Sequence, residues 1–309
     1  MSNPSPDPAP VACWTDFFRP DPVFRELGIV DASPETLAHA EICIGFPAPE
    51  QLAAMPRLRW LQLMSAGADR WGQIPPEVII TTANPVFAEP ASEHALALLL
   101  ALGRDLPTHF RLGLEHRWGR SGGTRDLARS TVVVVGIGYI GQAIATRLKA
   151  FGAKVIGVRR NLGKGLPPGV DEGVGIEGLA PVLAGADALV LALPLTSATE
   201  RIVTRRHLEA LKPGALVVNV GRGKTLDQDA LVDGLVSGRI GGAGLDVTVP
   251  EPLPSDHPLW GFPNVIITGH SLGNSPGRTA RRAALVAAQL ERWRKGEPLS
   301  HRLDRELGY

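Results

Sequence analysis

The stretch that decides the fold is Thr131–Val158, which reads TVVVVGIGYIGQAIATRLKAFGAKVIGV. Val132 to Val135 are four consecutive β-branched residues, and such a run predicts a strand buried on both faces. Gly136, Gly138 and Gly141 follow at once with GxGxxG spacing. Gln142–Ala150 then places Ala143, Ile144, Ala145 and Leu148 on one side of a helix, and Ala153–Val158 is a second apolar strand. Strand, glycine turn, helix and strand in that order predict a dinucleotide-binding unit. Gly136 allows the tight turn, Gly138 lets backbone approach a pyrophosphate, and Gly141 lets the helix pack on the strand. N–H groups at the helix start meet the phosphate charge. Glycine is abundant in this chain, 35 of 309 residues, so the spacing gains its meaning from the frame around it.

The end of the second strand selects the cofactor. An NAD-preferring unit carries an Asp or Glu there, which accepts hydrogen bonds from the ribose hydroxyls. Here the strand runs into Arg159-Arg160-Asn161, with no acid before Asp171. A guanidinium grips the 2′-phosphate of NADP through charge-assisted hydrogen bonds, where a carboxylate repels it. The bland alternative is a pair of solvated surface charges. The position directly after the strand favours Arg159 for contact, assisted by Arg160 or Asn161, and predicts NADPH over NADH.

Outward from this unit, strands and helices keep alternating. Ala188–Leu193, Ala215–Val220, Gly242–Val247 and Val265–Thr268 read as strands, with helical segments at Arg205–Leu211 and Asp229–Ser237. Upstream, Ile42–Ile44, Leu58–Met64 and Val78–Thr81 read as strands, with helical pieces at Leu37–Ala40 and Gln51–Ala54. Regular alternation on this scale predicts an α/β protein with doubly wound, mostly parallel sheets. Glu89-Pro90 is expected to open a helix, with the proline at its first position. Ala95–Leu102 is apolar on all sides and should be buried between layers. Gly277–Lys295 is an amphipathic closing helix, and residues 1–12, rich in Pro and Ser, read as a loose tail. A crossing between two domains is expected around residues 100–106.

The bulk numbers narrow the function classes. A chain of 309 residues is long enough for two domains with real cores. Hydrophobic residues make up 44% and charged ones 20%, and the net charge of +1 argues against a nucleic-acid or anionic-membrane surface. Cys13 and Cys43 have no metal-ligand spacing and suit reduced thiols in a cytoplasmic protein. The longest apolar run, Ala95–Leu102, is too short to cross a bilayer.

Three polar residues stand at or one loop beyond expected strand ends: Arg222, Glu251 and His270. Open α/β sheets place ligands at those ends. The residue types suit reduction of a 2-oxo acid. An arginine clamps a carboxylate and polarises the neighbouring carbonyl, a histidine donates a proton, and a carboxylate beside it fixes the ring and favours its protonated form. Each alone has a plain alternative as a surface charge or a satisfied structural histidine; their joint placement favours chemistry. Ser65–Asp69 is a small-residue turn at another strand end, which alone would pass for a plain tight turn.

Along nearly its whole length the chain resembles the D-2-hydroxyacid dehydrogenase family. The likeness rests on Ser65–Asp69, Glu89–His94, Val135–Gly141, Asn219–Gly223, Gly244–Val247, Glu251–Pro254 and His270. It implies a Rossmann-type cofactor domain and a smaller flavodoxin-like substrate domain. The substrate domain would be built from residues 1–102 and 276–309, around a contiguous dinucleotide-binding domain, 103–275. The resemblance implies Arg222 as substrate-binding arginine, His270 as acid/base and Glu251 as its partner. Backbone N–H groups around Ala66 and Gly67 would bind the substrate carboxylate. Cofactor contacts would come from Gly136, Gly138, Tyr139, Ile140, Gly141, Leu193, Pro194, Val220, Gly221, Arg222, Asp246 and His270. It also implies a homodimer joined through the cofactor domain. One departure is Gly269-His270, where the family commonly has Pro-His.

Within the family the compact chain is most similar to glyoxylate/hydroxypyruvate reductases using NADPH. A phosphoglycerate dehydrogenase with an effector domain needs more residues, and formate dehydrogenases have glutamine where Glu251 stands. An NAD-dependent dehydrogenase of other substrate preference is the alternative enzyme. The alternative from another class is a dinucleotide-sensing, co-repressor-like interaction protein, disfavoured by the absence of basic clusters.

Overall fold

The computed structural model describes residues 11–15, 22–69, 71, 74–161, 163 and 165–309. The chain divides into two units, residues 1–86 with 276–309, and residues 87–275.

In the second unit, β6 (Thr131–Val135), β7 (Lys154–Val158), β8 (Glu172–Val174), β9 (Ala188–Leu191), β10 (Ala215–Asn219), β11 (Ile240–Leu245) and β12 (Val265–Ile267) form one sheet. Its order is β12-β11-β10-β9-β6-β7-β8, and every pairing is parallel. The chain runs outward from β6 to β8, returns to β9 on the other side of β6, and runs outward again. The switch point therefore lies between β6 and β9, where doubly wound sheets bind their ligands. Val132 to Val135 are fully buried, with Val132 and Val134 packed in the core of one face and Val133 and Val135 in that of the other. The two-residue period of a strand splits the valine run between two cores.

In the first unit, β1 (Val11–Thr15), β2 (Ile29–Asp31), β3 (Ala40–Gly45), β4 (Trp60–Leu63) and β5 (Ile79–Thr81) form a parallel sheet. Its order, β2-β1-β3-β4-β5, is that of flavodoxin. The helix Arg278–Arg294 brings the chain's end back to this unit, burying Ala283, Val286 and Leu290 with Trp60, Ile42 and Met64. Cys13 and Cys43 are free, buried and register partners on β1 and β3. Val11 and Ala12 belong to β1, and the tail expected over residues 1–12 otherwise lies outside the described residues.

Two expectations about the linking helix are corrected. It spans Asn84–Gly103, so Pro85 stands at its start and Pro90 lies inside. A proline there cannot donate to the carbonyl four residues back. That carbonyl, Val86 O, instead accepts from Arg281 Nε at 3.1 Å. The helix is also long and apolar enough to cross a membrane by length and composition, unlike the Ala95–Leu102 run alone, but 61% of its apolar 18-residue window is buried in the protein. Ala95, Leu96, Leu98, Leu99 and Leu102 pack with Val132, Val134, Val190 and Val218. This packing assigns most of the helix to the second unit, so the first division falls after Val86, earlier than residue 102.

Candidate active site

The turn after β6 is shaped by what its glycines exclude. Gly136 has φ +96°, and a Cβ there would stand 2.8 Å from Ala192 O. A Cβ at Gly141 would run into Gly136 O, so the helix Tyr139–Ala150 reaches this close only with glycine. At Gly138 the Cβ direction opens on free space, and no side chain caps the helix that begins there. An uncapped helix start beside open space fits a pyrophosphate. A Cβ at Gly221 would stand 2.6 Å from Leu193 O, so the loops after β6, β9 and β10 meet around Ala192-Leu193. Pro194 continues that loop, its carbonyl accepting from Thr199 Oγ1 at 2.7 Å.

Arg159 directly follows β7. Its backbone N–H bonds Val174 O at 3.1 Å and its Nη2 donates to Gly165 O. Its Nε is buried and has no partner among the described residues. An unpartnered buried guanidinium N–H suits an anionic ligand. Asn161 is engaged locally, its Oδ1 accepting from Gly163 N at 2.8 Å, and Arg160 is exposed. Asp171, the next acid in sequence, sits at the opposite end of β7. It bonds Val155 N at 2.9 Å and Lys149, whose ammonium holds its carboxyl below the ordinary range.

Arg222 follows β10 after Val220 and Gly221. Asn219 fixes this turn with both ends of its amide, accepting from Gly221 N at 3.0 Å and donating to Arg222 O at 3.1 Å. Thr225 Oγ1 also donates to Arg222 O, at 2.7 Å. Arg222 Nη1 donates to Gly221 O at 2.9 Å. A Cβ at Gly223 would strike Thr248 O, so this turn packs on the loop carrying Glu251.

Glu251 and His270 meet directly. Glu251 Oε1 accepts from Thr248 N at 3.2 Å, and Oε2 lies 2.9 Å from His270 Nδ1. Both side chains are close to half exposed. His270 Nε2 has no partner among the described residues. The Gly269-His270 departure has a backbone consequence, since both residues take positive φ, +56° and +55°. A proline at 269 could not adopt that angle.

Asp246 is only 1% exposed and faces the His270 segment. Its Oδ1 accepts from Thr268 Oγ1 at 2.7 Å and Ser271 N at 2.8 Å, and its Oδ2 from Leu272 N at 3.3 Å. Its backbone carbonyl accepts from His270 N at 2.6 Å. Three donors on one short segment, Thr268 Oγ1 and the N–H groups of Ser271 and Leu272, explain how this carboxylate stays buried.

In the first unit, Ser65–Asp69 follows β4. Ser65 Oγ donates to Gly67 O at 2.6 Å, Ala83 N bonds Ser65 O at 2.8 Å, and Arg282 Nη2 bonds Met64 O at 2.7 Å. The N–H groups of Ala66 and Gly67 meet no acceptor among the described residues.

The orienting residues Asn219, Thr248 and Thr268 were not singled out from the sequence. Asn219 and Thr248 bond within three residues of themselves, a pattern side-chain type alone does not disclose. Thr268 depends on a partner 22 residues away.

A family model described as D-isomer specific 2-hydroxyacid dehydrogenase, NAD binding domain, matches residues 96–271. The human glyoxylate reductase/hydroxypyruvate reductase is 36% identical over 81% of this chain and 78% of its own length. The D-3-phosphoglycerate dehydrogenase of Mycobacterium bovis is 36% identical over 78% of this chain, which spans 46% of that longer protein. Among solved structures, a D-isomer specific 2-hydroxyacid dehydrogenase from Xanthobacter autotrophicus, in complex with NADPH and MES, has a TM-score of 0.86 at 28% identity, covering 98% of this chain and 100% of that one. An NADPH-dependent glyoxylate/hydroxypyruvate reductase from Sinorhizobium meliloti, in complex with NADP and sulfate, has a TM-score of 0.84 at 28% identity, covering 97% and 100%.

Proposed function

Because the chain belongs to the D-isomer specific 2-hydroxyacid dehydrogenase family, we propose that it reduces a small 2-oxo acid of the glyoxylate or hydroxypyruvate type, with NADPH as reductant. The Glu251–His270 pair carries this proposal. An ionised carboxylate accepts only, so His270 Nδ1 donates to Glu251 and Nε2 is the ring nitrogen left to serve substrate. Protonated at both nitrogens, His270 donates from Nε2 to the carbonyl oxygen, and Glu251 holds the ring for that transfer. A bound nicotinamide supplies the hydride that reaches the carbonyl carbon. Arg222 binds the substrate carboxylate and polarises the carbonyl. The N–H groups of Ala66 and Gly67 serve as carboxylate donors, which makes residues 1–86 with 276–309 the substrate domain and residues 87–275 the cofactor domain.

For the cofactor, Gly136, Gly138, Tyr139, Ile140 and Gly141 receive the pyrophosphate, and Leu193, Pro194, Val220, Gly221 and Asp246 line the nicotinamide end. Arg159, aided by Arg160 or Asn161, takes the 2′-phosphate. The relatives crystallised with NADPH or NADP support that choice, as does the absence of an acid at the end of β7. Mixing purified protein with NADPH and glyoxylate, and following nicotinamide absorbance, tests the activity. Persistent NADPH absorbance with glyoxylate, hydroxypyruvate and a panel of other 2-oxo acids would refute it.

Two copies associate through the cofactor domain. Phe110 (72% exposed), Leu114 (83%) and the fully exposed Trp118 stand out from the second unit. The same unit carries a mostly apolar cavity lined by Leu99, Leu100, Leu127, Phe151 and Leu216, together with the charged Arg104, Arg125, Asp126 and Asp187. An apolar projection and a mostly apolar recess on one unit suit a two-fold pairing of identical copies. A cytoplasmic location suits the two free cysteines.

A further inference from the structure

We infer that His94, together with Thr268, is a positioning residue that holds the His270 segment in place through Asp246. This rests on the proposed acid/base role of His270. His94 comes from the long helix Asn84–Gly103, and its Nε2 lies 2.8 Å from Thr268 Oγ1 and 3.5 Å from Asp246 Oδ1. Thr268 Oγ1 donates to Asp246 Oδ1 at 2.7 Å. A hydroxyl has one proton, and with that proton committed to Asp246, Thr268 Oγ1 can only accept from His94. This assigns the Nε2–H tautomer to His94 when its ring is neutral.

The direction of the chain of hydrogen bonds matters for what lies beyond it. Asp246 binds the backbone N–H groups of His270, Ser271 and Leu272 through its carbonyl and carboxylate. Those bonds hold Gly269 and His270 at φ +56° and +55°. Left-handed backbone is unfavourable for histidine and persists only where its surroundings over-determine it. Here the over-determination comes from Asp246, whose backbone carbonyl holds His270 N and whose buried carboxylate, oriented by Thr268 and through it by His94, holds Ser271 N and Leu272 N. The helix contributes this contact from 174 residues away in sequence. Without His94, Thr268 loses its donor, its hydroxyl can turn away from Asp246, and the segment carrying the proton donor loosens. A misplacement of about 1 Å at a reacting group costs on the order of 10²-fold in rate.

The test uses the whole chain, four single variants, His94→Leu, His94→Gln, Thr268→Val and His270→Ala, and one double variant. Glutamine can present an N–H near the place of Nε2; leucine and valine cannot donate. With NADPH and glyoxylate, His94→Leu and Thr268→Val should each lower kcat by about 10- to 100-fold. KM for glyoxylate and Kd for NADPH should change little. His94→Gln should recover most of kcat. His94→Leu combined with Thr268→Val should cost no more than either alone, since both cut one chain. Nitrogen-15 imidazole spectra should show His94 protonated at Nε2, and the His270 signals should shift in His94→Leu but not in His94→Gln. Should leucine fail to fold, Thr268→Val, which removes only a hydroxyl, decides. Wild-type kcat in Thr268→Val beside an inactive His270→Ala would overturn the positioning role alone, as would equal losses in His94→Gln and His94→Leu. An active His270→Ala would overturn the acid/base reading instead. The spectra then decide the positioning role, which stands if His270 responds to leucine but not glutamine and falls otherwise.

Discussion

His270 Nδ1 lies 2.9 Å from Glu251 Oε2, with the carboxylate's other oxygen tied to Thr248 N at 3.2 Å. The ring is held by a carboxylate that is itself held, and its second nitrogen has no partner among the described residues. That is the arrangement a general acid needs, because the proton must leave from a fixed point.

Replacing His270 with Ala should lower kcat about 10²–10⁴-fold and leave NADPH binding little changed. Glu251→Gln keeps a hydrogen-bond acceptor but loses the charge, so it should cost less than His270→Ala. Steady-state kinetics and fluorescence titration of NADPH check both. Near-wild-type turnover in His270→Ala at neutral pH would remove His270 from the mechanism.

Arg222 should behave differently. Asn219 and Thr225 fix its backbone carbonyl, so a substitution of the side chain leaves the turn in place. It is proposed to hold the substrate in both ground and transition states, so KM should rise and kcat should fall. Arg222→Lys keeps the charge but loses the bidentate fork, and kcat/KM should drop about 10- to 100-fold. Full activity in Arg222→Lys would mean that charge alone suffices.

Much of this site was legible because its signals are local. The valine run, the glycine spacing and the missing acid after β7 each lie within a few residues, and strand ends in a parallel sheet converge by topology. The short strands β2 and β8 were not legible, because Ile29–Asp31 and Glu172–Val174 mix polar and apolar residues and lack the unbroken apolar run that marked the equally short β5 and β12. Pro90 misled because a helix start and a tolerated interior proline look alike until Arg281 is known to serve Val86 O. The domain division was displaced for a related reason, since one helix runs through it. His94 stood inside a recognised motif, yet its partner Thr268 becomes visible only in three dimensions.

Asp227 gives a pH-dependent stability. It begins the helix Gln228–Val236, accepting from Ala230 N at 3.1 Å, and it pairs with Arg201 at 2.7 Å. Burial pushes its carboxyl up, but these donors and the guanidinium outweigh it, and the net shift is downward. A carboxyl with a lower pKa folded than unfolded stabilises above the unfolded value, about 3.9, and loses that contribution as pH falls through the folded one. Asp227→Asn should therefore cost about 1 kcal/mol at pH 7, with the difference shrinking below about pH 4. Urea denaturation at both pH values checks this; an equal difference at the two would contradict it.

The proposed pairing of copies can be broken at the exposed apolar residues. The chain mass is 32.8 kDa, and light scattering should give twice that for the wild type. Leu114→Glu with Trp118→Glu places charge where apolar contact is expected and should yield monomers. A wild-type monomer at micromolar concentration would refute the proposed dimer.

The central claim is that this enzyme reduces 2-oxo acids with NADPH because Arg159 replaces the expected acid at the end of β7. The most direct measurement is kcat/KM for NADPH and for NADH with glyoxylate as substrate, in the wild type and in Arg159→Asp. The wild type should favour NADPH, and Arg159→Asp should shift the preference toward NADH. A higher kcat/KM with NADH in the wild type would contradict the account.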